Sequence, residues 1–121
     1  MQKVLYVDDD RMRMRVTMEF LELAGYAVIP THTGAEALQR LKDEAIDLAV
    51  VDYYMPGMTG DVVAAEMKHL KPEVPVVIWS GTFSMPVMVA GLADGFVCSG
   101  SGPQGLITKI SELLAARAVR Q

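Results

Sequence analysis

Five short apolar runs, Val4-Leu5-Tyr6-Val7, Ala27-Val28-Ile29, Leu48-Ala49-Val50-Val51, Val76-Val77-Ile78-Trp79 and Phe96-Val97-Cys98, recur along the chain with little polar alternation inside them. Runs of this length without alternation are the pattern of strands covered on both faces. They predict strands at Lys3 to Val7, Ala27 to Pro30, Asp47 to Val51, Val74 to Trp79 and Gly95 to Cys98. The stretches between them carry the helical period. In the first, Val16, Phe20 and Leu23 at i, i+4 and i+7 form the expected apolar stripe, and Gly25 stops the helix. The second, Gly34 to Glu44, places Ala37, Leu38 and Leu41 on one side. The third runs from Gly60 to Leu70 with Thr59 as its N-cap. The last buries Leu106, Ile110, Leu113 and Leu114 and takes Pro103 into its first turn. Strand and helix alternating in this way predict a (βα)5 parallel sheet with helices on both faces.

One stretch breaks the pattern: Ser84 to Ala93 contains no charge. Pro86 permits only a first-turn start and Gly91 weakens the interior, so a short, marginal helix is expected there. Such a helix either packs deeply or offers an apolar patch to a partner, and burial is the expected outcome.

The chain of 121 residues reads as a single domain, 1–121, large enough to bury roughly two thirds of its unfolded surface. Its hydrophobic fraction of 51% comes without any apolar stretch near the roughly 20 residues that cross a bilayer. The opening residues lack the features of a signal peptide, so a soluble, cytoplasmic protein with no membrane partner is expected. Cys98 is the sole cysteine and is read as a small buried hydrophobe. A net charge of -4 argues against direct nucleic-acid binding. Arg11, Arg13 and Arg15, alternating with Met12 and Met14, are read as a solvated helix face beside the acids rather than a phosphate-binding patch.

The chemistry lies at the ends of the apolar runs. Asp8-Asp9-Asp10 closes the first and Asp52 closes the third, and the carboxyl edge of an open α/β sheet is where such folds bind ligands. If the two strands are neighbours, several carboxylates are crowded within roughly 4–6 Å, which raises their pKa values unless a cation intervenes; a hard divalent ion answers that need. A helix start alone would be served by Asp10. Pro56-Gly57 reads as a tight turn that leaves Asp52 accessible, and Ser80-Gly81 brings a hydroxyl and an approachable backbone to the same edge. Trp79, one residue before Ser80, is expected to point to the opposite face. His32 and His69 stand apart from the acids in sequence and are read as surface or core residues.

On these segments the chain resembles the receiver domain of bacterial two-component response regulators: Val4 to Asp10 is similar to the family's first strand and acidic pocket, Asp47 to Gly60 to its phosphoacceptor segment, and Pro75 to Gly81 to its fourth strand. The resemblance implies a flavodoxin-like sheet in the order 2-1-3-4-5. It implies that Asp52 accepts a phosphoryl group from a histidine kinase or phosphotransfer protein. Mg²⁺ would be held by Asp9, Asp52 and the Tyr54 backbone carbonyl, with Asp8 acting through water. Ser80 would be the switch hydroxyl and Phe96 the switch aromatic. An effector domain or partner protein would meet the face from Ser84 to Phe96. No enzyme activity beyond the domain's own phosphorylation and dephosphorylation is implied.

Two departures stand out. The family follows its fifth strand with Lys-Pro, whereas this chain has Ser99-Gly100, with no cation between Gly95 and Pro103 and Lys109 too far along the last helix. A serine donates a hydrogen bond but cannot neutralise charge, and without the proline there is no reason to expect a cis bond. Ser99 to Gly102 is expected to be a mobile linker. The interval from Ser80 to Phe96 is also about one helical turn shorter than usual, on the charge-free segment. The expected protein is therefore a receiver with an atypical response. Two alternatives accompany it: an interaction module independent of phosphorylation, and a haloacid-dehalogenase-like phosphatase with Asp8 as nucleophile and Asp10 as acid/base, in which Asp52 has no role.

Overall fold

Strand β1 (Lys3–Val7) lies between β2 (Ala27–Thr31) and β3 (Leu48–Asp52), and β4 (Val76–Ser80) and β5 (Gly95–Cys98) extend the sheet beyond β3. All pairings are parallel and the order is β2-β1-β3-β4-β5, the flavodoxin-like arrangement. The structure is a computed structural model that describes residues 1–81 and 93–120. The charge-free helix expected over Ser84 to Ala93 lies, Ala93 apart, outside the described residues. Helices α1 (Arg11–Leu23), α2 (Gly34–Asp43), α3 (Gly60–Leu70) and α4 (Pro103–Arg120) flank the sheet, and Ser99–Ser101 forms a 3₁₀ turn.

Side-chain alternation divides the core into two layers. Val4, Tyr6, Leu48, Val50, Val77, Trp79 and Val97 pack under α1 and α4, against Met14, Leu21, Leu106, Ile110 and Leu114. Leu5, Val7, Ala49, Val51, Val76 and Ile78 pack under α2 and α3, against Ala37, Leu41, Val63, Ala64 and Met67. Burial of each large aliphatic side chain contributes about 1.5–3 kcal/mol. Because both faces are covered, the strands read as continuous apolar runs, which is why they were legible.

The apolar stripe expected on α1 is corrected. Val16, Phe20 and Leu23 are 50%, 43% and 84% exposed, and the buried residues are Met14, Thr17 and Leu21. Both sets satisfy the helical period, so periodicity does not choose between them. The phase is set at the helix start, where Asp10 caps the first turn and Arg13 reaches over the strand ends, turning Met14, Thr17 and Leu21 inward. On α4, Leu106, Ile110 and Leu114 are buried as expected, with Leu113 half-buried. Strands β3 and β4 run one residue further than their apolar cores, so Asp52 and Ser80 are the last residues of their strands.

Candidate functional site

In the β1–β3 register Val7 faces Val51, which makes the next residues, Asp8 and Asp52, neighbours across two adjacent strand ends. Each lies an even number of residues beyond Val4, Tyr6, Leu48 and Val50, and therefore on the α1/α4 side of the sheet. With Asp9 they bring carboxylate oxygens within 4.8 Å of one another. Asp8 and Asp52 are buried and Asp9 is exposed. Asp10 serves the helix instead, its Oδ1 accepting the backbone N–H groups of Met12 and Arg13, both at 3.0 Å, as the N-cap of α1. The hydrogen bond from Arg13 is the chief reason that its carboxyl is held below the ordinary range. Asp8 is fixed on two sides, by the backbone N–H of Asp10 to Oδ1 at 2.9 Å and by the Tyr6 hydroxyl to Oδ2 at 2.8 Å. Burial, followed by the Asp8 charge, keeps that phenol well above its usual pKa, so Tyr6 remains a donor.

The residue that sequence reasoning misplaced is Arg13. Instead of lying on a solvated face with Arg11 and Arg15, its guanidinium enters the carboxylate pocket. Nε donates to Asp8 Oδ2 at 2.8 Å, and Nη2 donates to Asp8 Oδ1 at 2.7 Å and to Asp52 Oδ2 at 2.9 Å. Nη2 also lies 4.0 Å from Asp9 Oδ1, and Nη1 lies 3.8 Å from Asp10 Oδ2. The sequence held a signal for this, since Arg13 stands i+3 from Asp10 and i+4 from Asp9, the two spacings at which helical side chains meet. Arg11 goes elsewhere, its Nη1 lying 3.3 Å from His32 Nε2. His32, brought up at the end of β2, has its Nδ1 3.3 Å from the Asp8 carbonyl and lies outside the carboxylate group.

Burial first, then the Asp8 charge, raises the Asp52 carboxyl to about 7, with Arg13 and the Tyr54 backbone N–H working against the rise. Three carboxylates around one point, with net negative charge left after Arg13, form a hard oxygen donor set that fits Mg²⁺.

Beside Asp52 a cleft of about 50 Å³ is lined by Arg13, Asp52, Trp79, Ser80, Gly81 and Ser99. Trp79 therefore faces the pocket side, correcting the expected orientation; in the β3–β4 register it pairs with Asp52 itself. Its buried indole N–H has no hydrogen-bond partner among the described residues. Ser80 is buried at the end of β4, and Gly81 follows it with the Ser99 hydroxyl 3.6 Å from where a β-carbon would stand. Ser99 begins the 3₁₀ turn, with the Gly102 N–H donating to its carbonyl at 3.1 Å, so the expected linker is a hydrogen-bonded turn. No cis peptide bond occurs among the described residues. Cys98 is half-buried, Phe96 packs from the side against the α2/α3 core layer, and the Tyr54 ring is exposed, edge-on to Tyr53 at 4.8 Å. Lys109 is occupied elsewhere: its ammonium lies 3.3 Å from Glu112 and its stem lies against Gly95.

The segment from Tyr53 to Thr59 links Asp52 to α3. Gly57 takes φ of +82° in the Pro56-Gly57 turn, a conformation open to glycine at no steric cost. Gly60 donates its N–H to the Tyr53 carbonyl at 2.8 Å, and a β-carbon there would lie 2.6 Å from the Asp52 carbonyl oxygen. The start of α3 thus presses against the backbone that carries Asp52. Thr59 occupies the N-cap position, but its hydroxyl donates to Asp61 rather than capping the helix.

The family model of the response regulator receiver domain matches residues 4–99. The response regulator SaeR of Staphylococcus aureus (strain USA300) is 30% identical over 117 residues, covering 94% of this chain and 51% of SaeR. The chain spans between 20% and about half the length of such curated relatives. A CheY-like response regulator receiver domain protein from Methanospirillum hungatei superposes with a TM-score of 0.93 at 27% identity, over 100% of this chain and 99% of that one. The response regulator TrrA of Thermotoga maritima, solved in complex with Mg²⁺-BeF, gives 0.88 at 26% identity over 93% and 99% of the two chains. TrrA has also been solved in complex with the histidine kinase ThkA, where it gives 0.88 at 28% identity over 94% and 99%.

Proposed function

Because this chain belongs to the receiver domains of two-component response regulators, we propose that it is a phosphoacceptor module in which Asp52 takes a phosphoryl group from a histidine kinase or phosphotransfer protein. The observation that carries the reading is the cluster of Asp8, Asp9 and Asp52 oxygens within 4.8 Å, with Asp52 opening on a cleft that Ser80 and Ser99 also line. An Asp52 oxygen attacks the phosphorus of the donor, the phosphorus–nitrogen bond of a phosphohistidine breaks, and the departing imidazole takes up a proton. Asp9, Asp52 and the Tyr54 carbonyl would hold Mg²⁺, with Asp8 acting through water, and the ion when bound neutralises charge on the donor and acceptor oxygens. Asp52 attacks as the anion, so a cation that lowers its pKa from about 7 also supplies the nucleophile. Ser80 is the hydroxyl for the phosphoryl oxygens, and Phe96, on the neighbouring strand, is the aromatic whose packing would respond. With Ser99 in place of the lysine, the response is atypical.

The two complexes of TrrA, with Mg²⁺-BeF and with ThkA, support the metal and the class of donor. Receiver domains are signalling modules rather than enzymes acting on outside substrates, and no described helix is long and apolar enough to cross a membrane. A phosphatase built on Asp8 and Asp10 is disfavoured by geometry. Asp10 is spent on the helix cap and stays ionised, while Asp8 is held from three sides by Tyr6, Arg13 and the Asp10 backbone.

The test is incubation with Mg²⁺ and a small acyl phosphate, followed by intact-mass measurement. The wild type should gain the mass of one HPO₃, and Asp52→Asn should gain none. Equal modification of both proteins, or of neither, would sink the reading.

A further inference from the structure

Arg13 occupies the point on which the three carboxylates converge, and this geometry carries a role for it that rests on the phosphoacceptor reading above. We infer that Arg13 is a tethered cation of the pocket: it bridges Asp8 and Asp52 and offsets part of their charge in the metal-free protein, gives them up to Mg²⁺, and then makes the cationic contact to a phosphoryl group on Asp52 that Ser99 cannot make.

The first half follows from shared atoms. The Nη2 group bonds Asp8 at 2.7 Å and Asp52 at 2.9 Å, and these are two of the three carboxylates available to a divalent ion. A guanidinium and a dication cannot both sit between the same oxygens, because they would occupy the same space and their charges repel at contact distance. Binding of the ion therefore expels the arginine. Its side chain is 41% exposed and reaches the pocket from the first turn of α1, so it has a route out and a fixed point of return at the capped helix start.

The second half follows from the cleft. Among its lining residues, Arg13, Asp52, Trp79, Ser80, Gly81 and Ser99, Arg13 carries the positive charge. A phosphoryl group on Asp52 adds negative charge beside Asp8 and Asp9, and the planar fork of an arginine suits phosphate oxygens bidentately. The other candidate cations are committed elsewhere: Lys109 to Glu112, Arg11 toward His32, and Lys68 to Asp94 at 2.9 Å. A displaced Arg13 is thus the cation at hand when the phosphoryl group arrives.

The two halves predict effects of opposite sign, which a merely structural role for Arg13 would not produce. Mg²⁺ affinity is measured by calorimetry on wild type, Arg13→Gln, Arg13→Lys and Arg15→Gln, and beryllofluoride affinity is then followed at saturating Mg²⁺ through Trp79 fluorescence. Arg13→Gln should bind Mg²⁺ about tenfold more tightly and beryllofluoride about tenfold more weakly, the worth of one hydrogen bond to a charged group. Arg13→Lys, which keeps the charge but not the fork, should fall between. Arg15→Gln removes the same charge from an exposed position on the same helix and should shift neither. Equal Mg²⁺ affinity in Arg13→Gln and Arg15→Gln overturns the counter-cation role, and unchanged beryllofluoride binding in Arg13→Gln overturns the phosphoryl contact. Failure of wild type to show an Asp52-dependent beryllofluoride response is a different result: it overturns the phosphoacceptor reading and with it the second half, while the Mg²⁺ affinities still decide the first.

Discussion

Replacing Asp52 by Asn should stabilise the metal-free protein above neutral pH, although it removes a side chain from the centre of the site. The folded pocket raises the Asp52 carboxyl from 3.8 to about 7. At 1.36 kcal/mol per unit, a displacement of about three units sets an upper limit of about 4 kcal/mol. The sign follows from proton binding. Between the unfolded and folded pKa values the native state holds the proton that the unfolded chain has released, so the Asp52 contribution is most favourable below about pH 4 and is lost as pH rises to about 7. Asn cannot ionise and escapes that loss, while its amide oxygen can still accept from Arg13 Nη2, now 2.9 Å from Asp52 Oδ2. The Asp52 side chain is only 6% exposed, so solvent screening removes little, but relaxation of the pocket reduces the full figure. We expect Asp52→Asn to gain about 2–3 kcal/mol at pH 8 in EDTA, on the order of 10 °C in Tm. Thermal melts followed by circular dichroism from pH 4 to 8 provide the assay. The two proteins should melt together near pH 4 and diverge as pH rises, and saturating Mg²⁺ should narrow the gap by stabilising wild type more than the variant. A variant that melts at or below wild type at pH 8 without metal would refute the reasoning, because burial of an under-compensated carboxylate would then not be the governing cost.

Three further outcomes test the rest of the architecture. Leu21→Ala should lose about 2–5 kcal/mol in urea unfolding while Leu23→Ala stays within about 0.5 kcal/mol; the reverse order would put α1 in the phase its sequence first suggests. Gly60→Ala drives a β-carbon to within 2.6 Å of the Asp52 carbonyl oxygen and 2.7 Å of Tyr53 Cα. It should cost about 1–3 kcal/mol and weaken Mg²⁺ binding together, by displacing the backbone that carries Asp52. Asp10→Ala should cost about 1 kcal/mol of stability through the lost cap, whereas exposed Asp9→Asn should leave stability nearly unchanged and weaken Mg²⁺ in calorimetry. A larger metal defect in the Asp10 variant would reverse the division of labour between these neighbours.

What the sequence determined by itself was the arrangement that local patterns encode. Strands buried on both faces leave unbroken apolar runs, so Lys3–Val7 and Gly95–Cys98 were legible to the residue, as was the helix Gly60–Leu70. Acids that end such runs lie at the carboxyl edge of a parallel sheet, so the site followed once β1 and β3 were neighbours. Tertiary structure decided what depends on rotation and reach. Two apolar stripes on α1 share one period, and only the capped start of the helix chose Met14, Thr17 and Leu21 over Val16, Phe20 and Leu23. The orientation of Trp79 depended on the parity of β4 within the sheet, which a run apolar on both faces does not reveal. Arg13 looked like one of three solvated arginines because it alternates with Met12 and Met14 between Arg11 and Arg15. Its long side chain is drawn into the pocket by buried carboxylates from two strands, a field that forms only when residues 8 and 52, far apart along the chain, stand side by side.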